Sequence, residues 1–176
     1  RSLLRMRQMN PRHMPTYGEL AALYMDCAQF SKANAVARDG LRMDPDSVVF
    51  WNALANSQAS VGQVDEALKS YRKVLELSPG FAPAHSNMLL SMHWVSSISP
   101  EEIFAEHQNF GRMYAPPGIA NRSFANTPDP GRRIRIGYLS PDIRKHSVAF
   151  FLEPLRDFRD RERFEVYGYG AVKTID

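Results

Sequence analysis

The sequence is short of several things, and each shortage excludes something. Cys27 is its only cysteine, so no intrachain disulfide is possible and an intracellular, cytoplasmic setting is expected. A lone cysteine inside a helical pattern is expected to be a small apolar core residue. No run of 18 apolar residues occurs, so no transmembrane helix and no membrane partner are expected. The opening stretch, RSLLRMRQMN, has neither an initiator Met nor an apolar core long enough for a signal peptide. It reads as part of a longer chain. The charge is nearly balanced, 22 Lys+Arg against 19 Asp+Glu, and the basic residues are scattered. Without a basic stripe carrying interleaved aromatics, nucleic acid is not expected as a partner. GYLSPD at 137–142 is not a GxGxxG loop, and no Walker pattern occurs. No histidine pair has metal-ligand spacing, so no metal and no resident cofactor are expected. What remains, 44% hydrophobic and 23% charged residues, is ordinary for a globular chain with room for one or two domains.

What is present is periodic. Pro11, Pro45 and Pro79 are spaced by 34 residues, and each closes a similar phrase: RMRQMNP, GLRMDPD, LELSPGF. A fixed period of 34 is the length of the tetratricopeptide helix-turn-helix repeat. With Pro45 and Pro79 at position 32, there are two full units. The first places Tyr17, Leu20, Ala21, Tyr24, Ala33, Ala37 and Gly40 at the signature positions. The second places Trp51, Leu54, Ala55, Ala67, Tyr71 and Val74 there. Small residues, Ala21 with Ala33 and Ala55 with Ala67, let the two helices of a unit approach closely. Asp65 and Glu66 open a helix where negative charge suits its dipole, and the proline stops the second helix. Ser2–Met9 then reads as the end of an earlier unit, with more repeats expected upstream.

A third unit starts at Ala82, with a first helix to about Trp94. Ser99-Pro100-Glu101-Glu102 should cap its second helix, which carries Ile103, Phe104, His107, Phe110 and Tyr114 at helical spacing. It lacks the signature proline, as expected of a capping unit. The predicted organisation is a repeat array over 1–114, a Pro/Gly-rich linker over 115–132 and a separate segment over 133–176. Such arrays bind peptides or proteins along a concave face. Asn52, Asn56, Asn87 and His93 are candidates to line it, asparagine offering both a donor and an acceptor to a peptide backbone. The alternative, solvated helix residues with no ligand, stands beside this reading.

The segment from 133 changes period. Arg133–Leu139 reads as a buried strand, Ser140-Pro141-Asp142 as a turn, Ser147 as the cap of a helix from Val148 to near Phe158, and FEVYGY from Phe164 as a second strand. Strand, crossover helix and strand make a right-handed βαβ unit with parallel strands. Ligands of such sheets bind beyond the strands' carboxyl ends, here the loop 139–146 leading into a helix N-terminus, which favours anions. His146 in that loop is either functional or a surface residue. Asp142 is a turn former or a ligand contact, and Arg144 and Lys145 are solvated charges or contacts.

The order of these features resembles the O-GlcNAc transferase and SPINDLY-type family: repeats, then HSNMLLSMHW and SPEEIFAEH, then RIRIGYLSPDIRKHSVAFFLEPL, then RFEVYGY. The resemblance implies a mainly α fold, a tetratricopeptide α-solenoid followed by a partial α/β (βαβ) segment of a GT-B N-terminal lobe. It implies an inverting glycosyltransferase that moves GlcNAc from a UDP-GlcNAc donor to Ser or Thr of proteins selected by the repeats. The family's active-site histidine falls on His146, as a possible base. The donor-binding lobe lies outside this sequence, so activity is expected of the full-length parent and not of this piece. Two alternatives remain: a non-catalytic adaptor, or the same fold with another nucleotide sugar such as GDP-fucose.

Overall fold

Two tight turns show how the repeats are built. The first helix of one unit, α2 (Met14–Asp26), ends where Gln29 N–H reaches back to the Tyr24 carbonyl at 2.8 Å. The equivalent helix of the next unit, α4 (Val48–Ser60), ends where Gln63 N–H reaches the Gln58 carbonyl at 2.9 Å. Each turn needs one residue in the left-handed region. Gly62 supplies it at φ 79°, while Ala28, 34 positions earlier, is forced to φ 53°. The residue just before that position points to solvent in both units. Cys27 is therefore exposed at a helix end, like Val61, and is not the core residue expected.

The computed structural model describes residues 2–118, 123, 125, 129–143 and 146–170. The chain divides into two compact units, 1–121 and 122–176. In the first, α1 (Ser2–Met9) packs on α2, which pairs with α3 (Phe30–Met43). The helix α4 pairs with α5 (Val64–Leu77), and α6 (Ala82–Met92) with α7 (Pro100–Tyr114). Within each full unit the helices close on alanine: Ala21 and Ala33, then Ala55 and Ala67, are all 0% exposed. Leu20, Leu54, Leu68, Val74 and Leu89 fill the space around them, and burying each such side chain is worth about 2 kcal/mol. Successive units interlock where Phe50 lies over Gly40: a Cβ at position 40 would stand 2.7 Å from the Phe50 ring.

A second device links the units through hydrogen bonds. Tyr17 donates its hydroxyl to the Pro11 carbonyl at 2.8 Å, and Trp51 donates Nε1–H to the Pro45 carbonyl at 2.7 Å. The aromatic at position 4 thus satisfies the carbonyl of the proline closing the unit before it. The third unit has His85 at this position, and the Pro79 carbonyl instead accepts from Tyr114 at 3.2 Å. The helix α6 stops at Met92, short of the expected Trp94. The helix α7 starts in a capping box, with Ser99 Oγ accepting from Glu102 N–H at 3.2 Å and Glu102 Oε2 accepting from Ser99 N–H at 2.8 Å. Those bonds hold the Glu102 carboxyl below its ordinary pKa.

In the second unit, β1 (Ile134–Ser140) and β2 (Phe164–Gly170) run parallel, with Ile134 opposite Phe164 and Ser140 opposite Gly170, joined by α8 (Ser147–Asp157). Arg135 and Glu165, paired in register, form an ion pair at 3.1 Å. None of the described residues of this unit is buried, and Phe150, Phe151 and Phe158 are exposed. Two strands and one helix are too few to cover both faces of a sheet. This mainly α chain, a repeat solenoid followed by a βαβ segment, is the architecture expected from the sequence.

Candidate functional site

Three of the four candidate groove residues come together, on α4 and α6. Asn56 Oδ1 accepts from Tyr71 Oη at 2.7 Å and from Asn87 Nδ2 at 3.1 Å. Tyr71 reaches it from α5, so one carbonyl oxygen ties three helices. Burial pushes the Tyr71 hydroxyl up to about 12, and the Asn87 amide beside it works weakly the other way. Asn52 lies one turn before Asn56 on the same face of α4, and its Oδ1 is buried with no partner among the described residues. The cluster keeps two unused groups among the described residues, the amide N–H of Asn56 and the carbonyl of Asn87, while the Asn52 carbonyl is closed off from solvent. An extended peptide backbone presents matching donors and acceptors.

His93 stands apart from that cluster. It is exposed, at the C-terminal end of α6, with its Nε2 3.3 Å from Nε2 of His107 on α7. Two imidazoles are half a tetrahedral metal site, and no group of three or more His, Cys, Asp or Glu among the described residues could hold a metal ion.

The βαβ candidates lie at the carboxyl end of β1. Asp142 is half-buried, its N–H donating to Ser140 Oγ at 3.0 Å. His146, not Ser147, is the residue that caps α8: its Nδ1 accepts from Val148 N–H at 3.3 Å, and the helix starts one residue earlier than expected. A neutral imidazole has one lone pair. With Nδ1 accepting, the ring proton sits on Nε2, which then donates. To take a proton from a hydroxyl, His146 must release the cap. Arg144 and Lys145 lie outside the described residues, as do positions 119–122, 124 and 126–128 of the linker.

One polar pair escaped the sequence reading. His85, 2% exposed, bonds Glu106 Oε1 through Nε2 at 2.7 Å, with the rings of Phe110 and Tyr114 edge-on to it at 5.1 and 5.7 Å. Its Nδ1 is buried without a partner among the described residues. The signal was available in the period, since His85 stands where Tyr17 and Trp51 stand. The pair closes the array, as Glu106 comes from the last helix.

The family model for the tetratricopeptide repeat matches residues 48–81, the second unit defined by the proline spacing. Residues 48–81 are a tetratricopeptide repeat. The chain is also similar to a probable UDP-N-acetylglucosamine–peptide N-acetylglucosaminyltransferase SPINDLY of Petunia hybrida. The identity is 31% over 102 residues, 58% of this chain and 11% of the relative. Among solved structures, a variant of the Thermobaculum terrenum O-GlcNAc transferase matches with a TM-score of 0.81 at 30% identity. That match covers 99% of this chain and 34% of the other. MamA, at 15% identity and a TM-score of 0.58, shares the fold over 68% of this chain and 67% of its own. The resemblance to O-GlcNAc transferase and SPINDLY proteins therefore holds in sequence and in structure, while the chain spans about a tenth of the curated relatives' length. No helix among the described residues is long and apolar enough to cross a membrane.

Proposed function

We propose that the tetratricopeptide units hold protein segments for a glycosyltransferase domain that begins with β1, and that this domain transfers GlcNAc from UDP-GlcNAc to Ser or Thr. The observation that carries this reading is the likeness to the Thermobaculum transferase, which runs through the repeats and the βαβ segment alike over 99% of the chain. The unused Asn56 amide and Asn87 carbonyl support peptide binding. The described ends of the loop after β1 are residues 141–143, at the carboxyl end of a parallel strand, and His146, at the N-terminus of α8, a setting suited to anionic groups. His146 in that loop can hold or move a proton at Nε2 once its Nδ1 exchanges the Val148 bond for a proton.

The test uses protein expressed from the complete coding sequence, a cell extract and UDP-GlcNAc labelled in the sugar. Label is expected on Ser and Thr of extract proteins, and His146→Ala should lower its rate of appearance by about 10²–10⁴-fold if the ring moves a proton. Label taken only from GDP-fucose would replace the donor. No transfer from either sugar, with extract proteins still retained by the repeats, would make the protein an adaptor.

A further inference from the structure

A cleft of about 450 Å³ opens between α3 and α5, floored by α4. Both outer helices pack on α4 and not closely on each other, because the second helices of successive units are spread by the intervening first helix. The wall is apolar: Leu41, Leu54, Pro45 and the half-buried ring of Trp51, which is held by its bond to the Pro45 carbonyl at 2.7 Å. The rim is basic. Arg38 uses only Nε, donating to Asn34 at 2.9 Å, and Lys69 has no ion-pair partner among the described residues. Arg42, on the same rim, pairs with Asp39. Among the described residues, Glu66 is the one carboxylate lining the cleft.

The floor holds the more telling group. Gln58 is 3% exposed and its carbonyl accepts from Ser70 Oγ at 2.7 Å. Its amide N–H groups take no partner among the described residues, although the side chain lines the cleft. That amide is reachable from the cleft, so an acceptor on a ligand can take the place of water there. Every uncommitted group facing the cleft from α3, α4 and α5, apart from Glu66, is a donor or a cation.

We propose that this cleft, on the second-helix side of the repeats, docks an acidic peptide segment of a partner protein, with an aliphatic residue against Trp51 and Leu54 and flanking carboxylates on Arg38, Lys69 and the Gln58 amide. A small inorganic anion would satisfy the rim but leave the apolar wall unfilled. This site is distinct from the asparagine cluster, which has no cationic group and uses α4 with α6.

The test titrates the full chain with a synthetic peptide bearing four Asp/Glu around a central Leu, and watches the indole N–H resonances of its two tryptophans. The Trp51 signal should move and that of exposed Trp94 should not. The doubly charge-reversed variant, Arg38→Glu with Lys69→Glu, should bind at least tenfold more weakly with unchanged helical circular dichroism. Binding of the unmodified chain should weaken as salt is raised from 50 to 300 mM. The proposal falls if the charge-reversed variant binds equally well or if a Lys-for-Asp/Glu version of the peptide binds as tightly. It also falls if inorganic phosphate moves the Trp51 signal at the same concentration as the peptide, or if replacing the central Leu by Ser changes nothing.

Discussion

Replacing Tyr71 by Phe should make the repeat unit less stable at neutral pH and more stable at high pH, with the two stabilities crossing near pH 11. At neutral pH the change removes one hydrogen bond, Tyr71 Oη to Asn56 Oδ1 at 2.7 Å. Asn56 still accepts from Asn87, so no acceptor is orphaned and the cost stays near about 1 kcal/mol. At high pH the buried hydroxyl becomes a liability. Its folded pKa is raised from 10.0 to about 12, so the folded state keeps the proton after the unfolded chain has lost it. Stability from this group is complete below pH 10 and is lost as pH rises through 12. Linkage puts the loss at about 1.4 kcal/mol by pH 11 and about 2.3 kcal/mol by pH 12. Phenylalanine has no proton to lose and escapes that decline. Urea unfolding followed by circular dichroism at 222 nm, at pH 7, 9, 10 and 11.5 for both proteins, measures the difference while other titrating groups cancel. Parallel stability curves across that range would refute the buried, hydrogen-bonded placement of Tyr71.

Ala28→Gly should stabilise the repeat unit by about 0.5–1 kcal/mol, since the left-handed penalty for alanine exceeds the extra entropy of an unfolded glycine. The reciprocal Gly62→Ala should cost a similar amount, both read as shifts in the urea midpoint. Gly40→Val should destabilise by about 1–3 kcal/mol through overpacking against the Phe50 ring. A second substitution, Phe50→Leu, should recover part of that loss, and an unchanged midpoint in Gly40→Val would show that the ring does not sit over position 40.

Where the sequence was legible, the physics was local and repeated. The proline period placed the helix pairs, because each unit closes its own core on alanine and ends its own second helix. The Ser99–Glu102 capping box was readable for the same reason: both partners lie within one turn. The βαβ unit and its parallel strands followed from the crossover length. Cys27 shows an error that the period itself could have prevented, since its equivalent Val61 precedes the glycine of a turn. The cap of α8 was misplaced by one residue because a histidine nitrogen does the work usually given to a serine hydroxyl.

The candidate site was less legible, because its properties depend on which side chains meet. Asn52, Asn56 and Asn87 could be selected from the sequence, but not the fact that Asn56 spends its carbonyl on Tyr71 and Asn87, 15 and 31 residues away. Nor could the sequence show that His93 meets His107, or that His146 engages its Nδ1 lone pair in a cap. The amino-acid sequence by itself determined the repeat length, the helix pairs, the βαβ order and the family likeness, since each is written in spacing and local propensity. Only the tertiary structure decided which polar atoms are spent and which are left over. Leftover hydrogen-bonding capacity is a property of contacts between distant residues, and a ligand can use it only where the unspent group faces open space, as the Gln58 amide does and the buried Asn52 carbonyl does not.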